Sequence, residues 1–266
     1  MDIENYSQNG FCVVPQLISP STTAKLHYKI VNYSSKQANC NDIFDYPERF
    51  LRFFDPRFHK NHKFKVEATN LGLNLLMIAE SYKMKEIRRT LKLNNATRID
   101  SYLTEISNND IIHWHCDQSF GGAKDPGIYF NGNREDISTN AINKFFLHLT
   151  DVESGNGAFS YLPRSHNIGI AIRKIINSGR LKYEPFMDLK DAYPFMNKNY
   201  KLFISDKLLT DEDIDFFLAN AKKALDKSHD FSLNINAGGM VIFNDLGFHQ
   251  GTAPSISKRL VVRFFY

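Results

Sequence analysis

The sequence predicts an antiparallel β core with helices packed around it. Helical periodicity fills the first third of the chain, strand-like segments follow, a mixed segment interrupts them, and strands return at the end. That order differs from the regular strand–helix alternation that is typical of parallel sheets. A length of 266 residues suits one barrel or sandwich with helical additions, and 42% hydrophobic residues allow a sizeable core.

The first third is expected to hold an edge strand and two helices. The apolar run GFCVVPQL contains Pro15, which suits an edge strand because proline cannot donate a backbone hydrogen bond. A helix is predicted after Ser19, a typical N-cap, with Pro20 at its first position. A second helix is predicted over about 67–90. Its apolar stripe comprises Leu71, Leu75, Ile78 and Tyr82.

The middle and the end of the chain are expected to form strands. The ESGNG turn between the last two middle segments predicts that they form a hairpin. β-Branched and aromatic residues are frequent in these segments, as is typical of strands. They are TRIDSYLTEI (97–106), DIIHWHCDQ (110–118), NKFFLHLTDV (143–152), GAFSYLP (157–163), FSLNINA, GGMVIFND and KRLVVRFFY.

Residues 167–230 are predicted to form a partly helical insertion. Thr210 and Asp213 have the spacing of a capping box at the start of one helix. The segment lacks the flexible linkers that mark domain boundaries. We therefore expect residues 1–266 to form a single domain with an insertion at about 167–230.

Composition argues against several classes of protein. The net charge of +4 comes without a Lys/Arg run, so no nucleic-acid partner is predicted. Three cysteines (Cys12, Cys40 and Cys116) give no disulfide framework, which fits a reducing compartment. The polar N-terminus does not resemble a signal peptide, and no apolar run is long enough to span a membrane. A cytoplasmic protein that binds neither nucleic acid nor membranes is expected; the sequence does not indicate an oligomeric state.

The stretch IIHWHCDQ holds the clearest candidate for a metal site. Strand alternation would place His113, His115 and Asp117 on one face. His115-x-Asp117 supplies one histidine and the carboxylate of a 2-His-1-carboxylate triad, which binds Fe(II) and leaves one side open. His249 is the candidate for the other histidine, because it follows the strand MVIF at a glycine-containing turn.

Other interpretations of these residues stay open at this point. His115 could be a hydrogen-bonded core histidine, and Asp117 could cap a turn. Cys116, on the opposite face, is favoured as a small buried side chain over a thiolate ligand. Arg259 opens the final strand, where a guanidinium facing inward would require an anion such as a carboxylate. Alternatively, Arg259 could form an ion pair on the surface of an edge strand.

Four segments, in this order, resemble the phytanoyl-CoA dioxygenase family of Fe(II)/2-oxoglutarate oxygenases, including its ectoine-hydroxylase-like members. The resemblance covers most of the chain, although each motif alone is weak. Pro163-Arg164-Ser165-His166 departs from the family pattern, which often has Gly in place of Arg164. The segments are YSQNGFCVVPQLISPSTTAKL, WHCDQ, LTDVESGNGAFSYLPRSH and INAGGMVIFNDLGFHQGTAPSISKR.

The resemblance implies a fold and a set of site residues. The fold would be a double-stranded β-helix, a jelly-roll or cupin-like core with flanking helices. His115, Asp117 and His249 would be the iron ligands. Arg259 would bind the distal carboxylate of 2-oxoglutarate, with Arg263 as the alternative. Further contacts are expected from Thr252 and Tyr102 to the cosubstrate and from Arg164 and His113 to the substrate.

The resemblance also implies an activity. With Fe(II), 2-oxoglutarate and O2, the enzyme would hydroxylate a C–H bond of a small-molecule metabolite and release succinate and CO2. The insertion at 167–230 would cover the site and select the substrate. Two other classes are kept as alternatives: a zinc-dependent hydrolase or isomerase that uses the same three ligands, and a non-catalytic binding module.

Overall fold

Two antiparallel sheets pack against each other between two groups of helices. The computed structural model describes residues 3–38, 48–52, 62–94, 96, 98–104, 106, 112–117, 139, 141–182, 184 and 186–266. The helices are α1 (Ile3–Asn9), α2 (Pro20–Ala38), α3 (His62–Ala79), α4 (Tyr82–Thr90), α5 (Ser165–Asn177), α6 (Leu189–Ser205) and α7 (Asp211–Leu225). The strands are β1 (Phe11–Val14), β2 (Glu48–Arg52), β3 (Arg98–Thr104), β4 (Ile112–His115), β5 (Asn143–His148), β6 (Phe159–Tyr161), β7 (Ser232–Leu233), β8 (Met240–Asn244), β9 (His249–Gly251) and β10 (Arg259–Phe265).

The large sheet has six strands in the order β1-β8-β5-β10-β3-β2. β1 lies at its edge and pairs with β8, with Phe11 opposite Phe243, so the edge-strand prediction is confirmed. β10 lies between β5 and β3, where Val261 pairs with both His148 and Tyr102. The final strand therefore joins the two halves of the sheet.

The small sheet has four strands in the order β4-β9-β6-β7. Side chains from the inner faces of both sheets form a shared apolar cluster. Its members include Tyr102, Phe146, Phe159, Phe243 and Val261. Antiparallel sheets with flanking helices are the architecture that the sequence predicted, and they place the inward side chains of the strands around one interior.

The N-terminal helices cover the outer face of the large sheet, but the second predicted helix is two helices. Leu71, Leu75 and Ile78 of α3 are buried against the sheet as expected. The helix ends at Ala79, and the Ser81 hydroxyl caps α4 by accepting a hydrogen bond from the Met84 amide. Tyr82 was predicted to continue the stripe, yet it lies at the start of α4 and is 80% exposed.

The predicted hairpin between residues 143 and 163 is wrong. The turn is present, since the Asn156 amide donates to the Glu153 carbonyl. However, β5 belongs to the large sheet and β6 to the small one. The turn therefore carries the chain from one sheet to the other, and it places Gly157 at one end of the shared interior.

The insertion is mainly helical. Helices α5, α6 and α7 enclose a second apolar cluster that also contains Cys116 and Phe248. The capping box is confirmed, because Thr210 and Asp213 exchange side-chain and backbone hydrogen bonds at the start of α7. The expectation of a single domain stays a prediction. In the part of the chain described here, none of the helices is long and apolar enough to cross a membrane.

Candidate metal centre

His115, Asp117 and His249 come together where the ends of β4 and β9 meet. One ligand atom from each lies within 4.8 Å of the others. Nε2 of His249 is 3.3 Å from Asp117 Oδ2, and Nε2 of His115 is 3.8 Å from Asp117 Oδ1. Ligand atoms that share one metal at about 2 Å lie roughly 3 Å apart, so small adjustments would let all three bind one ion. The set of two imidazoles and one carboxylate suits Fe(II).

Backbone carbonyls fix the orientation of both histidines. Nδ1 of His115 lies 2.7 Å from the His113 carbonyl, and Nδ1 of His249 lies 2.9 Å from the Gly247 carbonyl. Each contact leaves Nε2 directed at Asp117, which is how metal-binding histidines are usually held. A Cβ at Gly247 would lie 1.8 Å from the Tyr161 hydroxyl, so only glycine allows this turn.

Lys144 on β5 supplies a positive charge beside the three residues. Its ammonium group forms an ion pair with Asp117 Oδ2, and its side chain is buried. Burial alone would raise the pKa of Asp117, but Lys144 and the two histidines outweigh it and hold that pKa well below its usual range. Burial is the main cause that lowers the pKa of His115 to about 4, and the nearby His249 is the second. The carboxylate is therefore ionised and His115 neutral at neutral pH, as metal binding requires.

Arg173 of α5 contacts the backbone at Asp117 from the side of the insertion. It is fully buried, and its Nη2 donates to the Asp117 carbonyl at 2.8 Å. Its Nη1 donates to the Gly169 carbonyl, and its guanidinium stacks over Phe186. The insertion thus contacts the backbone of a candidate ligand directly.

Trp114 and Cys116 point away from the three residues. Cys116 is buried in the insertion cluster, where burial raises the pKa of its thiol. Trp114 packs edge-on against Phe231. His113 is exposed and lines a groove of about 600 Å³ together with Trp114 and Gln250. The register shift in β4 between Ile112 and His115 breaks the alternation that would have put His113 beside the ligands.

Arg259 lies at the far end of the interior. It is buried, and its guanidinium donates to the carbonyls of Gly157 and Thr252 and to the Thr104 hydroxyl. These three hydrogen bonds orient the guanidinium. Tyr102 lies beneath it, 5.3 Å from guanidinium carbon to ring centroid.

Thr252 and Arg164 each contact other parts of the protein, and their predicted ligand contacts stay predictions. The Thr252 hydroxyl donates to the Ala158 carbonyl, so Thr252 meets Arg259 through its backbone oxygen. Arg164 precedes α5 in a left-handed conformation and contacts Glu212 and stacks on Phe216 of α7. Arg164 is therefore held by the insertion helices.

Arg263 is engaged by a buried carboxylate. Its Nε and Nη2 donate to the two oxygens of Asp100 at 2.6 and 3.0 Å. This bidentate pair occupies the Nε–Nη2 edge of the guanidinium and offsets its charge. Arg263 is therefore held by Asp100 within the large sheet, and Arg259 stays the predicted partner of a ligand carboxylate.

The spacing from His249 to Arg259 along β9 suits a short dicarboxylic acid. His249 and Gly251 point to the same side of β9 and are about 7 Å apart by strand rise. Both terminal nitrogens of Arg259 lie 3.8 Å from where a Cβ would stand on Gly251. A diacid with one end beside His249 can thus place its other end on Arg259, and the missing side chain of Gly251 leaves it room.

Two contributors escaped the sequence analysis: Lys144 and Arg173. Lys144 and His148 share the inner face of β5 with Phe146. The signal was present, because two titratable side chains alternate with apolar ones in a strand that is otherwise core. For Arg173 no local signal existed, since one arginine on an amphipathic helix usually lies at the surface.

A sequence model of the phytanoyl-CoA dioxygenase (PhyH) family matches residues 6–259. The chain belongs to this family. Family membership makes it an oxygenase-type enzyme that depends on Fe(II) and 2-oxoglutarate, and the donor set and the spacing from His249 to Arg259 fit both groups. A comparison with curated proteins found no match.

Several solved structures have a similar fold. AviO1 from Streptomyces viridochromogenes has a TM-score of 0.56 and 11% identity, over 99% of this chain and 92% of the other. The 2-oxoglutarate-dependent carbocyclase SnoK from nogalamycin biosynthesis has a TM-score of 0.55 and 13% identity, over 99% and 82%. HygX from Streptomyces hygroscopicus, solved with nickel and 2-oxoglutarate, has a TM-score of 0.52 and 11% identity, over 99% and 84%. At these identities the likeness shows the double-stranded β-helix fold and no more.

Proposed function

We propose that this PhyH-family enzyme hydroxylates a C–H bond of a small-molecule metabolite in the cytoplasm. The observation that carries the proposal is the placement of His115, Asp117 and His249 at one end of an interior that has Arg259 at the other. When bound, Fe(II) and 2-oxoglutarate supply the oxidation by O2, with release of succinate and CO2.

We assign His115, Asp117 and His249 as the iron ligands and Arg259 as the residue that binds the distal carboxylate of 2-oxoglutarate. Arg259 would hold that carboxylate through a charge-assisted hydrogen bond, in an interior where burial strengthens it. Lys144 keeps the Asp117 carboxylate ionised, and the carbonyls of His113 and Gly247 orient the two histidines as binding requires. Tyr102 would form the wall beneath Arg259.

The presence of Asp117 favours hydroxylation, because it completes the three-ligand set and leaves the remaining positions to cosubstrate and oxygen. Structural neighbours named as a carbocyclase and an epimerase make ring formation or epimerisation the second candidate for this chain. Mass spectrometry separates them: hydroxylation adds one oxygen atom to the product, whereas ring closure removes two hydrogens and epimerisation leaves the mass unchanged.

The insertion at 167–230 would set substrate choice, since Arg173 and the α5–α7 cluster adjoin the Asp117 loop. His113 and Arg164 remain candidates for substrate contact because both lie near the insertion. Alanine variants of these two should then change KM for the substrate while leaving 2-oxoglutarate binding intact.

The decisive experiment is an anaerobic titration of the purified protein with Fe(II) and 2-oxoglutarate. A visible charge-transfer band is expected, and succinate should form once oxygen and a substrate are supplied. A zinc-dependent hydrolase or isomerase would give no such band, and a non-catalytic module would bind without forming succinate. His115→Ala should abolish turnover; full turnover in this variant would refute the ligand assignment.

The roles of the two arginines are tested by a matched pair of variants. Arg259→Ala should weaken 2-oxoglutarate binding strongly. Arg263→Ala should act mainly on stability, because it leaves Asp100 buried without its bidentate partner. If Arg263→Ala weakened 2-oxoglutarate binding and Arg259→Ala did not, the roles assigned to the two arginines would have to be exchanged.

A further inference from the structure

We propose that His148 is a second binding residue for the distal carboxylate of 2-oxoglutarate, acting beside Arg259. This inference rests on the proposed function, because it assumes that the cosubstrate occupies the interior between His249 and Arg259.

His148 is the last residue of β5 and faces the interior. Phe145 and Leu147 pack with the N-terminal helices on the outer side of the sheet, whereas Phe146 belongs to the cluster between the sheets. Strand alternation therefore directs His148 inward with Phe146. His148 pairs with Val261 on β10, and Arg259 is two residues from Val261. This diagonal arrangement brings the long side chain of Arg259 within reach of the His148 imidazole.

The imidazole of His148 is buried without a hydrogen-bond partner. The residue is 1% exposed, and both Nδ1 and Nε2 lack a partner among the described residues. Leaving buried polar groups unsatisfied is costly, and in folded proteins such groups usually meet a ligand or water. A partner that enters the interior would remove this cost.

The chemistry of the site favours a carboxylate as that partner. Burial, with the nearby Arg259, lowers the pKa of His148 to about 3, so the ring is neutral and offers one N–H donor. A second cation next to Arg259 would be repelled, whereas a neutral donor is not. A carboxylate has two oxygens, and Arg259 and His148 can each donate to one of them.

The test compares two 2-oxoacids of equal length. 2-Oxoglutarate and 2-oxovalerate share the keto acid that meets the metal, but only 2-oxoglutarate has a distal carboxylate. Each is titrated anaerobically to saturation into the Fe(II)-loaded wild type, His148→Phe and His148→Gln, with the charge-transfer band as the readout. His148→Leu replaces the phenylalanine variant if that protein does not fold.

His148→Phe should raise the Kd for 2-oxoglutarate about tenfold and change the Kd for 2-oxovalerate less than twofold. His148→Gln keeps an N–H donor and should retain most of the affinity for 2-oxoglutarate. An unchanged Kd for 2-oxoglutarate, or an equal loss for both acids, would overturn the inference and leave the proposed function standing. A wild type that shows no band with 2-oxoglutarate would overturn both.

Discussion

At the scale of single residues, the centre is organised by charges that compensate one another. Asp117 is paired with Lys144, and the Asp245 carboxylate, also buried, lies close enough that Lys144 and Asp117 both act on its pKa. A bound metal ion would bring two further positive charges to the same carboxylates. Lys144 and the metal therefore stabilise the same negative charge, so each contributes less to stability when the other is present.

Lys144→Met should destabilise the metal-free protein by about 2 kcal/mol, because it leaves a partly buried carboxylate without its cation. Metal binding should then raise Tm more in the variant than in the wild type. Thermal unfolding with and without Ni(II) measures this. Lys190→Met is the matched control, since Lys190 pairs with Asp188 at the surface. Equal metal-induced shifts in the variant and the wild type would contradict the prediction.

Because Gly251 has no side chain, a diacid would have room to reach Arg259. Gly251→Leu should fold, because no neighbour lies closer than 3.8 Å to a Cβ at this position, but it should weaken 2-oxoglutarate binding at least about tenfold by filling that space. Metal affinity should be unchanged. Gln250→Leu, on the groove side of the same strand, is the control and should bind 2-oxoglutarate normally.

Residues in local motifs were predictable, and residues whose role depends on distant partners were not. His115, Asp117, His249 and Arg259 stand in recognisable segments. Lys144 lies 27 positions from Asp117, and Arg173 lies 56 from it, so no local pattern joins them. Which charged side chains meet in the interior depends on which strands become neighbours. The information that determines strand pairing is spread over the whole chain.

At the scale of elements, two errors have a common cause. The stripe of Leu71, Leu75 and Ile78 continues in sequence to Tyr82, yet the helix stops because Ser81 caps a new one. The ESGNG turn also has the expected form, yet it joins two sheets. Local periodicity and turn chemistry describe the segments correctly, but they do not determine which partner each segment meets.

The capping box at the start of α7 was predicted from sequence, and its contribution can be measured. Thr210→Ala should lower the free energy of unfolding by about 1 kcal/mol, because it leaves the Asp213 amide without its acceptor. Thr90→Ala removes a hydroxyl that only adds a bond to the Glu86 carbonyl at the exposed end of α4, and it should cost less than about 0.5 kcal/mol. Equal losses in urea unfolding would argue against the cap.

At the scale of the whole molecule, buried neutral histidines make stability depend on pH. His148 has a pKa of about 3 in the folded protein and about 6.5 when unfolded, so below pH 6.5 the unfolded state binds the additional proton. Its contribution to stability is therefore present at pH 7 and is lost as the pH falls. Between pH 7 and 5 this loss is about 2 kcal/mol.

His148→Gln should remove that share of the pH dependence. Urea unfolding of the metal-free proteins at pH 7 and 5 gives the difference in the free energy of unfolding for each. The wild type should lose about 2 kcal/mol more than the variant on acidification. Identical losses would mean that folding does not shift the pKa of His148.

The position of β10 in the middle of the large sheet has a consequence for biosynthesis. As the ribosome makes the chain, His115 and Asp117 emerge more than a hundred residues before His249 and β10. The nascent chain then carries an incomplete set of metal ligands, and β3 and β5 have no strand between them. Completion of the candidate metal-binding set and closure of the large sheet both wait for this later segment. Assembly of the three candidate ligands is thereby coupled to closure of the large sheet.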